Sequence, residues 1–171
     1  VAMIEPARVV VDAGPIIHLD ELSCLDLLSD FRSLHTTECI LQEVSNHRPN
    51  LKPSDLHGIS VHAVAPERMP PSLAAEVEAF GLASGEVSAM LLMSSLPAGM
   101  LLCDDAAARL VAETRGYRVH GTIGIVIRAI RSRLRTKKQV LETLATLPDT
   151  SSLHIRPSLL QEICRQVDQD A

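Results

Sequence analysis

Residues 7–28, ARVVVDAGPIIHLDELSCLDLL, combine a strand pattern with a helix pattern. The three consecutive valines form a short β-branched run, typical of a strand that is buried on both faces of a parallel sheet. Aliphatic residues then recur every three positions over residues 16–28, which predicts a helix. Asp12 stands between the two elements. It is either an ordinary helix cap or one member of a metal-binding group of acids.

The rest of the chain alternates short apolar runs with helical patterns. Thr36 and Thr37 can cap a second helix, and a second buried strand ends on Asp104 and Asp105. Further strands are predicted at residues 59–64 and 117–120, and helices at 73–80, 86–96, 106–116, 123–134, 137–147 and 157–168. This alternation predicts a three-layer α/β/α domain with a short, mostly parallel central sheet, followed by C-terminal helices.

Composition limits both the architecture and the class of function. The chain has 171 residues, of which 46% are hydrophobic, so we expect one domain with a single core. A formal net charge of -5 excludes a generally basic nucleic-acid-binding surface, so any contact with nucleic acid must be local. The four scattered cysteines indicate a reducing compartment. No leader and no apolar stretch of about 18 residues is seen, so we expect a cytoplasmic protein with no membrane partner.

Five acids deserve to be considered together. Asp12, Asp104 and Asp105 directly follow predicted strands, and the carboxyl ends of parallel strands meet at one edge of a sheet, where ligands bind. Glu86 begins a predicted helix, and Glu43 lies within another. Each alone can be a cap or an exposed side chain. Together they would repel one another unless a cation lay among them, and oxygen ligands suit Mg²⁺ or Mn²⁺.

Four segments carry a resemblance to a known family. They are VVVDAGPIIHL, ILQEV, SGEVSAMLL and LLCDDAAARLVAETRGYRVHGTIGIV. They resemble the PIN domain, specifically the small prokaryotic type that includes VapC-like toxin ribonucleases. The resemblance covers a core from about residue 8 to about residue 135, and continues more weakly through a helical extension at about 136–171. It implies that residues 1–171 form a single PIN-like domain.

The resemblance also implies roles for the acids. Asp12, Glu43, Glu86 and Asp105 match the family's catalytic acids, and Asp12, Glu86 and Asp105 match its metal-binding positions. Of the two adjacent aspartates, Asp105 is the first candidate for the metal-binding position and Asp104 the second, because the family's common Thr-x-Asp aligns with residues 103–105. The activity implied is hydrolysis of RNA phosphodiester bonds by a magnesium- or manganese-dependent endoribonuclease.

The same resemblance suggests partners and one alternative. A VapC-like protein is the toxin of a toxin–antitoxin pair, so we expect an inhibitory antitoxin protein and a homodimer. The family often has hydroxyl residues where this chain has Ala13, Gly14 and Cys103. These differences motivate the alternative, a catalytically degenerate PIN-fold module that binds RNA or another protein.

Basic residues indicate where RNA would bind. The basic run RAIRSRLRTKK, residues 128–138, is either an electrostatic patch for RNA phosphates or a solvated helix face. Its candidate RNA-binding residues are Arg128, Arg131 and Arg133, joined by Arg109, which follows the paired aspartates by four positions. None of the histidines falls at a metal-ligand spacing, so none is assigned a role in catalysis.

Overall fold

A five-stranded sheet forms the centre of the computed structural model, which describes residues 8–96 and 98–169. Its strands are β1 (Val9–Val11), β2 (Leu34–Thr37), β3 (Ile59–His62), β4 (Met100–Leu102) and β5 (Arg118–His120). All neighbouring strands are parallel, in the order β3-β2-β1-β4-β5. The predicted three-layer α/β/α architecture is therefore confirmed.

Eight helices in the described ranges surround this sheet. They are α1 (Ala13–Glu21), α2 (Glu38–His47), α3 (Pro71–Phe80), α4 (Ser84–Ser95), α5 (Ala106–Thr114), α6 (Thr122–Arg131), α7 (Lys137–Thr150) and α8 (Pro157–Gln169). Short 3-10 segments cover Leu25–Asp30, Pro53–Asp55 and Pro66–Arg68. None of the helices within the described ranges is long and apolar enough to cross a membrane.

The two central strands, β1 and β4, are short and completely buried. Their six side chains are between 0% and 6% exposed. Val11 pairs with Leu102, so both strands end at the same level of the sheet. This shared end is what brings the residues after β1 next to the residues after β4.

The structure differs from the sequence prediction in the region of β2. The predicted long helix over residues 16–28 ends at Glu21, and Ser23 follows with a left-handed φ of 55°, which a continuing helix does not allow. Strand β2 was not predicted because LHTT contains only one aliphatic residue. Thr36 and Thr37 are nevertheless 0% exposed. The Thr36 hydroxyl donates to Val11 O at 2.9 Å, a partner that exists only once the strands pair.

Helices α7 and α8 pack into the same hydrophobic core as the sheet. Val140, Leu144 and Leu147 of α7 are 0% exposed, and Leu160 and Val167 of α8 are also buried. The loop between these helices is fixed to α1, because the Glu21 carboxylate accepts hydrogen bonds from Ser151 and from the backbone and side chain of Ser152. The C-terminal segment therefore lies against the domain core.

Candidate active site

Asp12 lies where β1 ends, beside the first residue after β4. Its backbone N–H donates to Leu102 O at 2.9 Å, and its Oδ2 accepts a hydrogen bond from the Cys103 thiol at 3.2 Å. Asp12 occupies the N-cap position of α1, but within the described helix its side chain forms no capping hydrogen bond of the usual kind, with the second or third helical residue, although the adjacent Ala13 backbone acts on its carboxyl. It is only 6% exposed. A capping role therefore does not explain why this strand ends on a buried carboxylate.

Glu43 approaches Asp12 across a space that Gly85 leaves open. A Cβ atom at Gly85 would lie 2.5 Å from Glu43 Oε2 and 3.8 Å from Asp12 Oδ1. A methyl group cannot fit at the first of these distances without moving the carboxylate. The first turn of α4 thus lacks a side chain at the point where the carboxylates from β1 and α2 converge.

Glu86 and Asp105 begin helices at the edge of the same group. Glu86 Oε2 accepts from Ala83 N at 2.7 Å, and Asp105 Oδ1 accepts from Ala108 N at 2.9 Å, so each carboxylate is anchored through one oxygen. Burial raises the pKa of Glu86, and the charges of Asp105, Asp12 and Glu43 raise it further. The structure therefore brings Asp12, Glu43, Glu86 and Asp105 into one electrostatic environment.

The buried carboxyl of Asp12 is the most perturbed of these acids. Burial raises the pKa of Asp12 from 3.8 to about 6, against the opposing effect of hydrogen bonds from Cys103 and the Ala13 backbone. The charges of Glu43 and Asp104 raise it further. Burial and Asp12 together raise the pKa of the Cys103 thiol, which keeps that group protonated as a donor. The site therefore carries unneutralised negative charge that a cation would relieve.

The donor set suits a cation that keeps much of its hydration shell. Within residues 8–96 and 98–169, no three His, Cys, Asp or Glu side chains form a preformed metal-binding group. Mg²⁺ is usually held by one or two carboxylates and retains several waters, so it does not require such a group. The convergence of Asp12 and Glu43 beside Gly85 provides oxygen ligands of the required type.

Asp104 has a different environment from Asp105. Its Oδ2 accepts from Thr122 Oγ1 at 2.6 Å and forms a hydrogen bond with His18 Nδ1 at 2.8 Å, and its Oδ1 accepts from Thr122 N at 2.8 Å. Burial alone would raise the pKa of Asp104, but these bonds from His18 and Thr122 hold it below its usual value. Asp104 therefore joins the end of β4 to α1 and α6, whereas Asp105 is exposed.

Sequence reasoning missed the partners of Asp104. His18 was assigned no role, although it contacts this aspartate. The sequence contained one indication: Gly14 and His18 are one helical turn apart, so they lie on the same face of α1. In the structure that face lies against Asp104, since a Cβ at Gly14 would be 3.4 Å from Asp104 Oδ2. Thr122 was visible only as part of the Gly-Thr turn. Cys103 was treated as a lost hydroxyl, whereas its thiol supplies a hydrogen bond to Asp12.

The predicted RNA-binding arginines lie in different environments. Arg109 Nη1 donates to Cys103 O at 3.3 Å, which places it beside the acids. Arg128 forms an ion pair with Asp30, and Arg131 and Arg133 are exposed.

Several arginines act on the pKa of His120. Burial lowers the pKa of His120, and the charges of four arginines lower it further: Arg128, Arg118, Arg109 and Arg131. Arg118 was not among the predicted residues. Four arginines therefore lie close enough to His120 to act on its pKa, in a chain whose net charge is -5.

Comparison with known proteins agrees with this architecture. A family model described as a PIN domain matches residues 8–169. No curated protein gives a significant match to the chain.

Proposed function

The chain belongs to the PIN-domain family, and from that premise we propose that it is an endoribonuclease that requires Mg²⁺ or Mn²⁺. PIN domains are in general metal-dependent nucleases. The observation that carries the proposal is the buried Asp12 carboxyl, whose pKa is raised to about 6 beside further acids. A protein tolerates such a group at a cost in stability, and a bound cation would remove that cost.

Each acid has a proposed role that follows from its surroundings. Asp12 would hold the cation because its carboxyl is buried among the other acids. Asp105 would hold it through Oδ2, because only its Oδ1 is used to cap α5. Glu43 would complete the oxygen ligands beside Gly85. Glu86 would also contribute to the metal site through Oε1, since its Oε2 accepts a hydrogen bond from Ala83 N. When bound, Mg²⁺ or Mn²⁺ would supply charge neutralisation and an acidified water.

Asp104 and the arginines would support this chemistry. We assign Asp104 chiefly to positioning, because His18 and Thr122 engage both of its oxygens. The proposed RNA-contacting residues are Arg109, Arg128, Arg131 and Arg133. Arg109 donates to the backbone between the end of β4 and Asp104, and Arg128 would add to the local potential while it remains paired with Asp30.

Cleavage of a mixed RNA pool by the purified protein tests this proposal. We expect cleavage with Mn²⁺ or Mg²⁺ and none with a chelator. Asp12→Asn and Asp105→Asn should each lower the rate by about a hundredfold or more while retaining the fold, since loss of one metal ligand removes transition-state stabilisation. Asp149→Asn, at an exposed position in α7, is the matched control. Undiminished cleavage by both site variants would overturn the assignment.

The second proposal is a PIN-fold module that binds RNA or protein without cleaving. Ala13 and Gly14 favour it, because neither residue can offer a hydroxyl to water or phosphate. Saturable Mn²⁺ binding that disappears in Asp105→Asn would favour the nuclease. A folded protein that neither binds Mn²⁺ nor cuts RNA would favour the module.

We further propose that the chain is the toxin of a toxin–antitoxin pair, with an antitoxin protein as partner and a homodimer as its active form. The support is the resemblance of its motifs to VapC-like toxins. Expression in bacteria should arrest growth, and Asp105→Asn should remove the effect. Light scattering of the purified protein should give twice the chain mass. Normal growth during expression of a protein that cuts RNA would contradict the toxin role.

A further inference from the structure

Two buried hydroxyl groups join α2, which carries Glu43, to α4, which carries Gly85 and Glu86. They belong to Thr37 and Ser88, which are 0% and 4% exposed, and their oxygens lie 2.7 Å apart. Thr37 is the N-cap of α2, and Ser88 lies in the second turn of α4. The two side chains therefore form a polar link between the helices that bring these glutamates to the site.

The direction of each hydrogen bond follows from the protons that the two hydroxyls have. Ser88 Oγ donates to Gly85 O at 2.7 Å, which uses its one proton. The bond between the two hydroxyls is therefore donated by Thr37 and accepted by Ser88. Thr37 Oγ1 in turn accepts from Ile40 N at 3.1 Å. A continuous chain of hydrogen bonds thus runs from the first turn of α2 to the backbone of Gly85.

Gly85 is also the residue against which the Glu43 carboxylate lies. A Cβ atom at Gly85 would be 2.5 Å from Glu43 Oε2. Helix α2 thus meets the first turn of α4 at two points, through the hydroxyl of Thr37 and through the carboxylate of Glu43. These residues are less than two helical turns apart, so the first contact restrains where the second can lie.

The apolar contacts of α2 have less directional preference than this chain. Ile40 and Val44 form the buried face of the helix and are 0% and 2% exposed. Apolar burial depends on area and not on angle, so it permits a helix to shift slightly along its neighbour. A hydrogen bond weakens steeply when it is lengthened or bent. The hydroxyls of Thr37 and Ser88 are therefore the groups that define the position of α2 relative to α4.

We propose that Thr37 and Ser88 are positioning residues, which fix the place of Glu43 in the acidic site and thereby set the affinity of that site for its cation. The inference rests on the proposed nuclease function and adds two uncharged residues to it. They act through Glu43 and do not themselves contact the cation. Their effect can be large, because a displacement of about 1 Å in a reacting group can cost two orders of magnitude in rate.

A variant that combines Thr37→Val with Ser88→Ala tests the inference. It removes both hydroxyls at once, so neither is left buried without its partner and the fold should be retained. Thr37→Ser is the conservative variant, because it keeps the hydroxyl and loses only a methyl group. Thr136→Val is the control for loss of a cap, since Thr136 is the N-cap of α7. Ser95→Ala is the control in α4, where Ser95 Oγ also donates to a carbonyl three residues earlier.

Calorimetric titration with Mn²⁺ measures the affinity of each variant. We expect the double variant to bind Mn²⁺ about tenfold or more weakly than wild type, as is usual when a group that orients a metal ligand is lost. Thr37→Ser and the two controls should bind as wild type does. Full affinity in the double variant, or an equal loss in Thr37→Ser or Thr136→Val, would overturn the inference. Ser88→Ala alone provides the same comparison if the double variant does not fold.

Urea denaturation of the metal-free protein at neutral pH tests the positioning role without a cation. The charge of Glu43 raises the pKa of Asp12, so the two carboxylates repel and Glu43→Gln should raise the urea midpoint of wild type. In the double variant this gain should fall by about half or more, because Glu43 is no longer held beside Asp12. An equal gain in both backgrounds, or no gain in wild type, would overturn the inference. If wild type binds no Mn²⁺ but the gain falls as expected, the nuclease proposal fails and the positioning role stands.

Discussion

Replacing Asp12 with Asn should stabilise the metal-free protein at neutral pH. The side chain is 6% exposed, and burial raises the pKa of its carboxyl from 3.8 to about 6. Because one pKa unit corresponds to about 1.4 kcal/mol, ionising this group in the folded state costs about 3 kcal/mol. Asn has nearly the same shape, carries no charge and can still accept the hydrogen bond from Cys103.

The effect should depend on pH with a defined sign. The folded state binds the Asp12 proton more tightly than the unfolded chain does, so stability falls as pH rises from the unfolded pKa near 3.8 to the folded pKa near 6. Above pH 6 the folded state bears the full free-energy cost of the buried Asp12 charge, and below pH 3.8 it bears none because the carboxyl is protonated. Asp12→Asn should therefore exceed wild type by about 1–3 kcal/mol near pH 7.5 and by much less near pH 4.

Urea denaturation with a chelator, followed by circular dichroism, measures this difference. The two proteins would be compared from about pH 4 to about pH 8, with Asp149→Asn as the exposed control. A stability difference between Asp12→Asn and wild type that stays constant over this range, or an Asn variant that is less stable near neutral pH, would show that ionised Asp12 does not destabilise the fold. Adding Mn²⁺ should stabilise wild type and leave Asp12→Asn nearly unchanged, because only wild type retains the buried ligand.

Two further substitutions test the geometry of the site. Gly85→Ala should lower the rate of RNA cleavage by about tenfold or more, because its Cβ would lie 2.5 Å from Glu43 Oε2. The control, Gly99→Ala, has no neighbour within 4 Å of the new Cβ and should cleave normally. Equal rates in the two variants would contradict the close approach of Glu43 to Gly85. Cys103→Ala should lower the free energy of unfolding by about 1–3 kcal/mol, since the substitution leaves a small cavity and removes the donor to Asp12. Urea denaturation measures this free energy, and a variant as stable as wild type would contradict the prediction.

Much of the fold could be predicted because its central strands are made of apolar residues alone. The valines of β1 and the apolar run of β4 are buried on both faces of the sheet. A short run of apolar residues is therefore sufficient to predict each of these strands. Strand β2 could not be predicted in the same way. Its Thr36 and Thr37 hydroxyls are buried against partners from β1 and α4, and those partners are distant in sequence.

The acids of the site could be nominated from sequence, but their individual environments could not. Asp104 and Asp105 are adjacent in sequence, yet the former is engaged by His18 and Thr122 and the latter caps α5 through one oxygen. Periodicity predicts which element follows a strand, whereas the direction of each carboxylate depends on contacts between elements. For the same reason the role of Gly85 could not be predicted: it has no side chain where Glu43 approaches, and that approach depends on contacts between α2 and α4.

Binding of Mn²⁺, measured by calorimetry at two pH values, tests most directly whether the buried acids form a cation site. We expect saturable binding that is lost in Asp105→Asn. Because burial raises the pKa of Asp12 to about 6 and also raises that of Glu86, binding should release more protons near pH 6 than near pH 8. Absence of saturable binding by the folded protein, or binding that Asp105→Asn retains in full, would show that these acids do not form a cation site.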